Sequence, residues 1–331
     1  MSQRKKKNIL FIAPKYFTYD KIIFEYLTKK GYSVDLVHDR PFNSNFFKVI
    51  IRINRSWIGI FLFFFYIKAF SRLPKKKYSL IFVIQGEGLT PRILKWLRIR
   101  NPKTPFVYYL WDSIKNKPML KENLAHFDSI FTFDKVDAKN FNMFFAPLFS
   151  AMPKLQVKDK KYIYDLSFIG TIHQDRMAIL KDLAMQLPNK KIFFYLYSPS
   201  LILFLIQRFF FKQFRALNIK SVNFNQLPYY RVQEILMDSN VILDIHHSGQ
   251  TGLTIRTIES LTLGKKLITT NKSIKTYDFY NPLNILVVDR KKVHIPEAFF
   301  KSKYVPIPQV ILNKYTLEGF YKRVISPFLG N

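Results

Sequence analysis

The chain has no cysteine, so disulfides, thiolate nucleophiles and cysteine-based metal sites are excluded. Acidic residues are scarce: 22 Asp and Glu stand against 53 Lys and Arg, a formal charge of +31. Such an excess draws a protein to polyanions, whether nucleic acid, anionic lipid or phosphorylated substrates. No apolar run reaches the roughly 20 residues that a bilayer-spanning helix takes. The longest, Trp57 to Phe70, is broken by Lys68. The opening MSQRKKKNILFIAP is basic and then briefly apolar, with no small-residue cleavage site after it. It reads as a first buried strand, Asn8 to Ala13, rather than a signal peptide. The expectation is a cytoplasmic chain. Internal repeats and low-complexity tracts are absent as well.

What is present is enough for two domains of ordinary size: 331 residues, 48% hydrophobic, with 34 Phe and 19 Tyr. Short apolar runs at Ile9, Ser33, Leu80, Phe106 and Ser129 read as five strands. Helical stretches fall between them, at Tyr19 to Lys30, Asn45 to Arg55, Ile58 to Ser71 and Pro91 to Arg98, and a further one from Lys135 to Asn142 is capped by Asp134. That is a βαβαβ rhythm, the sign of a parallel, doubly wound sheet over residues 1–150. Ala151 to Lys161 is polar and basic and reads as a linker. A second α/β series occupies residues 162–331, with a strand from Asp165 to Ile169, a loop from Gly170 after it and a helix over Ser200 to Leu217, and it ends in a helix from Leu317 to Ser326, which in such layouts often returns to the first domain.

The second series centres on Val241 to Asn271: strand, loop, helix, glycine stop, strand. Leu253, Ile255, Ile258, Leu261 and Leu263 keep close to a helical period. Gly264 stands where a left-handed C-cap belongs. The loop Gln250-Thr251-Gly252 is expected to point free backbone N–H groups at an anion. Ligands bind at the carboxyl ends of parallel strands, and Glu87, after the third strand, and Asp112, after the fourth, both stand there.

Three segments resemble GT-B glycosyltransferases, in particular the group-1 and CgeB-like enzymes of lipopolysaccharide, capsule and spore-coat assembly. They are Asp165-Leu-Ser-Phe-Ile-Gly-Thr171 with Arg176, Gly249-Gln-Thr-Gly-Leu-Thr-Ile-Arg-Thr-Ile-Glu259, and Gly264-Lys-Lys-Leu-Ile-Thr-Thr-Asn271. Weaker echoes are Tyr109-Leu-Trp-Asp-Ser113 and Phe131-Thr-Phe-Asp134-Lys-Val-Asp137. The resemblance implies two Rossmann-like domains facing a cleft. It implies transfer of a sugar from a nucleotide-sugar donor to a lipid-linked or saccharide acceptor in bacterial cell-surface polysaccharide or lipopolysaccharide synthesis. By position Glu259 would hold the donor ribose, and Gly170, Thr171, Arg176, His247, Gln250, Thr251, Gly252, Leu253 and Arg256 would face the donor. The family often has a second Glu where Thr251 stands, and this chain departs from that pattern. No Asp-x-Asp occurs, so metal-independent stabilisation of the departing diphosphate is favoured, with no metal and no cofactor besides the substrate. His246 and His247 have no third ligand at useful spacing and read as a loop facing the nucleotide. Asp112, or next Glu87, would be the base. Arg256 is one turn ahead of Glu259 and is positioned to pair with it.

Two aromatic-basic stretches, Trp57 to Arg72 and Leu201 to Arg215, fit helices lying in an anionic membrane interface, which suits a peripheral enzyme on the inner face of the plasma membrane. An ordinary buried helix is the competing reading for both, and more strongly for the first, whose run is apolar on nearly all sides. Other classes remain open: a nucleotide-sugar epimerase or glycerophosphate transferase on the same fold, a scaffold without activity, or a nucleic-acid binder. Against the last, the basic residues are spread over the chain and no nucleic-acid motif is present.

Overall fold

The computed structural model describes residues 6–15, 18–41, 58–152, 162–215 and 217–330. The helix expected at Asn45 to Arg55 and most of the linker lie outside them. The chain divides into two compact units. The first is Met1–Ala151 together with Ser248–Gly252 and Thr316–Asn331; the second is Met152–His247 with Leu253–Tyr315.

The first unit holds β1 (Asn8–Ala13), β2 (Ser33–His38), β3 (Leu80–Ile84), β4 (Phe106–Leu110), β5 (Ser129–Thr132) and β6 (Phe144–Phe145) in the order β2-β1-β3-β4-β5-β6. Every pairing is parallel. β3 and β4 are buried along their whole length. Their side chains are therefore apolar on both faces, which is why these strands read as runs rather than alternations. Helices Tyr19–Lys29, Gly59–Ser71, Pro91–Arg100 and Lys135–Asn140 belong to this unit. Tyr66, Ile93 and Leu97 join its core. The helix Leu317–Val324 belongs to it too. Its Thr316 cap accepts from Gly319 N at 3.1 Å. Phe320, 2% exposed, packs against Tyr109 at 4.8 Å and Phe149 at 4.6 Å between ring centres.

The second unit holds β7 (Tyr164–Thr171), β8 (Ile192–Tyr197), β9 (Val222–Asn223), β10 (Ser239–Asp244), β11 (Lys266–Thr269) and β12 (Ile285–Val287), ordered β12-β11-β10-β7-β8-β9 and again all parallel. Two expectations are corrected here. Gly170 and Thr171 are not loop residues: they pair with Leu196 and Tyr197 and lengthen β7 by two positions. The helix expected over Ser200 to Leu217 stops at Phe210, because Phe211 is extended, and a short turn Lys212–Arg215 follows. Gly264 does adopt the left-handed conformation, at φ 62°.

Truncating Phe320 removes an aromatic ring that three partners enclose, Phe82 being the third. Phe320→Ala is expected to lower stability by about 3–5 kcal/mol in denaturant unfolding. A loss below about 1 kcal/mol would mean that the last helix is peripheral to the first unit's core.

Candidate functional site

In an open parallel sheet, ligands bind where the strand order reverses. In the second unit that point lies between β7 and β10, which are neighbours although the chain visits β8 and β9 between them. The segments that follow these strands carry His173 and His247. Their rings meet edge to face at 6.0 Å, and His247 is exposed. His173 stands at the N-cap position of the helix Gln174–Gln186 without a side-chain capping bond, and it was not singled out from sequence, since one histidine in a loop carries no signal until its strand neighbour is known. Arg176 donates to the Thr171 carbonyl at 2.9 Å, which ties part of its guanidinium to the end of β7. His246 is buried. Thr270 Oγ1 lies 2.8 Å from its Nδ1, and Arg290 approaches the same nitrogen at 3.2 Å and donates to the His246 carbonyl. This histidine fixes the loop; His247 is the one that solvent reaches.

The helix after β10 runs Ile255–Thr262, starting later than its apolar period suggests. Thr254 is the cap, accepting from Thr257 N at 3.2 Å. Asp244, the last residue of β10, accepts from the hydroxyls of Thr254 and Thr257, both at 2.7 Å, and so joins strand end to helix start. Leu253 precedes the helix and is buried, so its side chain belongs to the core. Glu259 is not a solvated carboxylate: it is 1% exposed and pairs with Arg256 at 2.6 Å. Arg256 Nε is buried with no hydrogen-bond partner among the described residues. An unspent guanidinium N–H beside a carboxylate is an uncommon arrangement in a folded interior.

In the first unit the end of β3 turns sharply. Gln85 and Gly86 have φ of 62° and 60°. A Cβ on Gly88 would stand 2.1 Å from the Asp39 carbonyl oxygen, so only glycine fits there. Glu87 is buried and held on both oxygens, by Arg40 at 3.0 Å and Lys117 at 2.7 Å, while its N–H donates to Asp39 at 3.1 Å. Burial pushes the Asp39 carboxyl up to about 6; Arg40 opposes this and Glu87 reinforces it. Asp112 differs from Glu87. One oxygen accepts from Ser113 N and Asn116 Nδ2, both at 3.0 Å, and the other has no partner among the described residues. Burial raises its pKa above the ordinary carboxylate value, with Asn116 and Lys117 opposing and Glu87 adding to the shift. Of the two carboxylates at these strand ends, Asp112 keeps an oxygen for a proton. A cavity of about 280 Å³ also lies in this unit, with Leu36, Phe65 and Leu73 on its apolar side and Lys15 and Arg40 on its polar side.

Ser248–Gly252 overturns one expectation. The N–H groups of Thr251 and Gly252 are not free. Thr251 N and Gly252 N donate to one oxygen of Asp134 at 3.0 and 2.8 Å, and the Thr251 hydroxyl donates to the other. Gln250 is turned inward, its amide donating to the Gly252 carbonyl at 3.1 Å. The anion that the loop receives is the protein's own. Asp134 also caps the helix Lys135–Asn140 through Val136 N at 2.9 Å. Burial alone would raise its pKa; the donors from Thr251, Gly252 and Val136 outweigh burial and hold it below the usual value. A Cβ on Gly252 would come within 2.5 Å of the Phe133 ring. Among the described residues, no group of three or more His, Asp or Glu is placed to hold a metal ion.

Because the folded pKa of Asp134 is depressed, its contribution is fully present above the ordinary carboxylate value and is lost as pH falls through the lowered one. Asp134→Ala is expected to lower stability by about 3 kcal/mol at pH 7. It should also flatten the acid side of the stability profile measured by thermal melts across pH. An acid limb identical to that of the wild type would remove this carboxylate as its source.

No protein-family model matches the chain, and no curated protein does. Solved structures match it over nearly its whole length. The UDP-GlcNAc 2-epimerase of Methanocaldococcus jannaschii, in complex with UDP-GlcNAc and UDP, shares 11% identity at a TM-score of 0.55, covering 97% of this chain and 99% of that one. AviGT4, a glycosyltransferase involved in avilamycin A biosynthesis, shares 10% at 0.54, covering 97% of each chain. The UDP-GlcNAc 2-epimerase of Neisseria meningitidis bound to UDP-GlcNAc shares 11% at 0.53, covering 98% of this chain and 100% of that one. At such identities the likeness establishes architecture alone: two Rossmann-like α/β domains, the GT-B fold.

Proposed function

We propose that the protein is a glycosyltransferase that moves a sugar from a nucleotide-sugar donor to a saccharide or lipid-linked acceptor, in the manner of the group-1 and CgeB-like enzymes of bacterial lipopolysaccharide and capsule synthesis. One observation carries the reading: Arg256, on the first turn of the helix after β10, keeps a buried N–H without a partner beside the buried carboxylate of Glu259. In this reading Glu259 meets the ribose hydroxyls, and Arg256, Arg176 and the exposed His247 meet the diphosphate. A planar guanidinium fork suits phosphate oxygens. Gln250, Thr251 and Gly252 shape the loop through Asp134 rather than hold phosphate. The donor nucleotide to try first is UDP, the nucleotide named with the solved epimerases of the same fold.

Asp112 is the base in this reading. Its unpartnered oxygen takes the proton of the acceptor hydroxyl as that oxygen attacks the anomeric carbon. As the new glycosidic bond forms, the bond between the anomeric carbon and the diphosphate oxygen breaks, its electron pair leaving with the nucleoside diphosphate, whose charge is stabilised by cations. No cofactor besides the substrate is called for. The cavity with Leu36, Phe65 and Leu73 on one side and Lys15 and Arg40 on the other suits an acceptor that joins an apolar body to a phosphate.

A UDP-sugar 2-epimerase is the second reading, favoured by the epimerase structures that share the fold. The two part on product: an epimerase converts the donor with no acceptor present, whereas a transferase releases nucleoside diphosphate in proportion to acceptor glycosylated.

Thermal melts with UDP-, GDP-, TDP-, CMP- and ADP-sugars provide the first test. A donor at 100 times its dissociation constant stabilises the native state by about 2.7 kcal/mol. One nucleotide class is expected to raise the melting point of the wild type and to leave Glu259→Gln unmoved. If no class does so, with or without Mg²⁺, the donor assignment fails. With a donor in hand, Asp112→Asn is expected to lower kcat by about 10²–10⁴ while donor affinity holds. The wild-type rate should fall with pH at a value above the ordinary carboxylate range, because the raised pKa protonates the base early. Asp112→Asn should lose that limb, and a limb that persists would place the base elsewhere.

A further inference from the structure

The helix Leu201–Phe210 of the second unit presents its apolar face outward. Phe204 alone among its apolar residues is buried. Ile202, Phe209 and Phe210 are 72, 73 and 68% exposed, and Leu201, Leu203, Leu205, Ile206 and Phe211 are exposed with them. Ile202, Ile206 and Phe209 follow one another at i, i+4 and i+7, a single stripe. A helix on the surface of a water-soluble unit normally keeps such a stripe against the core. Contiguous exposed apolar surface of this kind marks an interaction site.

The helix is firmly mounted. Ser200 caps it through Leu203 N at 3.1 Å. Phe204 is anchored against Phe224 at 6.0 Å and Phe214 at 6.4 Å. Arg208 and Arg215 donate to the carbonyls of Leu217 and Phe209 at 2.9 and 2.8 Å. The apolar stripe is thus held outward by the fold around it.

Charge identifies the occupant. No Asp or Glu occurs between Asp182 and Glu234, while Arg208, Lys212, Arg215 and Lys220 lie within or just after the helix. Lys212, Arg215 and Lys220 are exposed. A second copy of the chain would bring the same cations to the same apolar stripe and repel them. An anionic bilayer offers acyl chains to the stripe and phosphates to the cations at once. We propose that this helix docks the protein to an anionic membrane, lying in the interfacial plane with Ile202, Ile206, Phe209 and Phe210 immersed. The proposal goes beyond sugar transfer and does not rest on it, since binding is read with neither donor nor acceptor present. The helix Gly59–Ser71 of the first unit makes a poorer anchor. It exposes Ile60, Phe61 and Phe64 but buries Leu62 and Tyr66 and stacks Phe70 on Trp96 at 5.7 Å.

The test is sedimentation of the full chain with phosphatidylcholine vesicles, with and without phosphatidylglycerol. The wild type is expected to pellet with the anionic vesicles and to be released as salt rises. The variant Ile202→Ser/Phe209→Ser/Phe210→Ser should bind roughly tenfold or more weakly at an unchanged melting temperature, since all three residues are exposed. Ile60→Ser/Phe64→Ser should keep most of the binding. Tryptophan placed at Phe209 should shift its emission to shorter wavelength only on the anionic vesicles. Any of four results overturns the proposal: no vesicle binding, equal binding to neutral vesicles, full binding by the triple variant, or concentration-dependent self-association that the triple variant abolishes without vesicle binding.

Discussion

Parallel pairing is the constraint on which both units depend. Two parallel neighbours cannot be joined by a tight turn, so each return passes through a helix or a long segment, and the residues after every strand gather at one edge of the sheet. Where the strand order reverses, two such segments diverge and leave room between them. In the second unit that position brings His173 beside His247. In the first unit it lies between β1 and β3, and the strained turn of Gln85 and Gly86 follows directly. Strand order thus decides which of the chemistry-bearing segments lie side by side.

The scarcity of acidic residues has a structural counterpart. Asp20, Asp39, Glu87, Asp134, Asp137, Asp244 and Glu259 are all buried. Several of them knit strand ends and loops together: Asp244 holds a helix start, Asp134 gathers the N–H groups of Thr251 and Gly252, and Glu87 holds Arg40 and Lys117. Each carboxylate used inside is one fewer outside. That adds, at the surface, to the positive field of a chain with a formal charge of +31.

Much of this was legible in the sequence where the signal is local. Apolar runs mark β3 and β4 because both faces are covered. Pro91 marks the first turn of its helix, Asp134 the start of the helix after it and Gly264 the end of another. The pairing of Arg256 with Glu259 was legible too, since three residues on a helix make neighbours. The partners that lie far apart in the chain were not. Nothing near Thr251 indicates that residue 134 will fill its loop, and Glu87 and Asp112 look alike until Arg40 and Lys117 are seen to claim one of them. Burial of Glu259 was hidden for the same reason, because a period marks a face of a helix without saying how deep an edge residue lies.

One feature of the first unit bears on the order in which the protein comes into being. Its core is completed by residues 316–331, and Ser150 pairs with Thr316 in a parallel bridge. A ribosome delivers residues 1–151 first, yet they emerge without the aromatic ring that Tyr109 and Phe149 enclose. Domains usually close in the order in which they are made. Here the earlier-made unit cannot complete its core until the second unit has been translated. The last piece of the first unit's core is thus also the last to be synthesised, and the two ends of the chain meet in one unit.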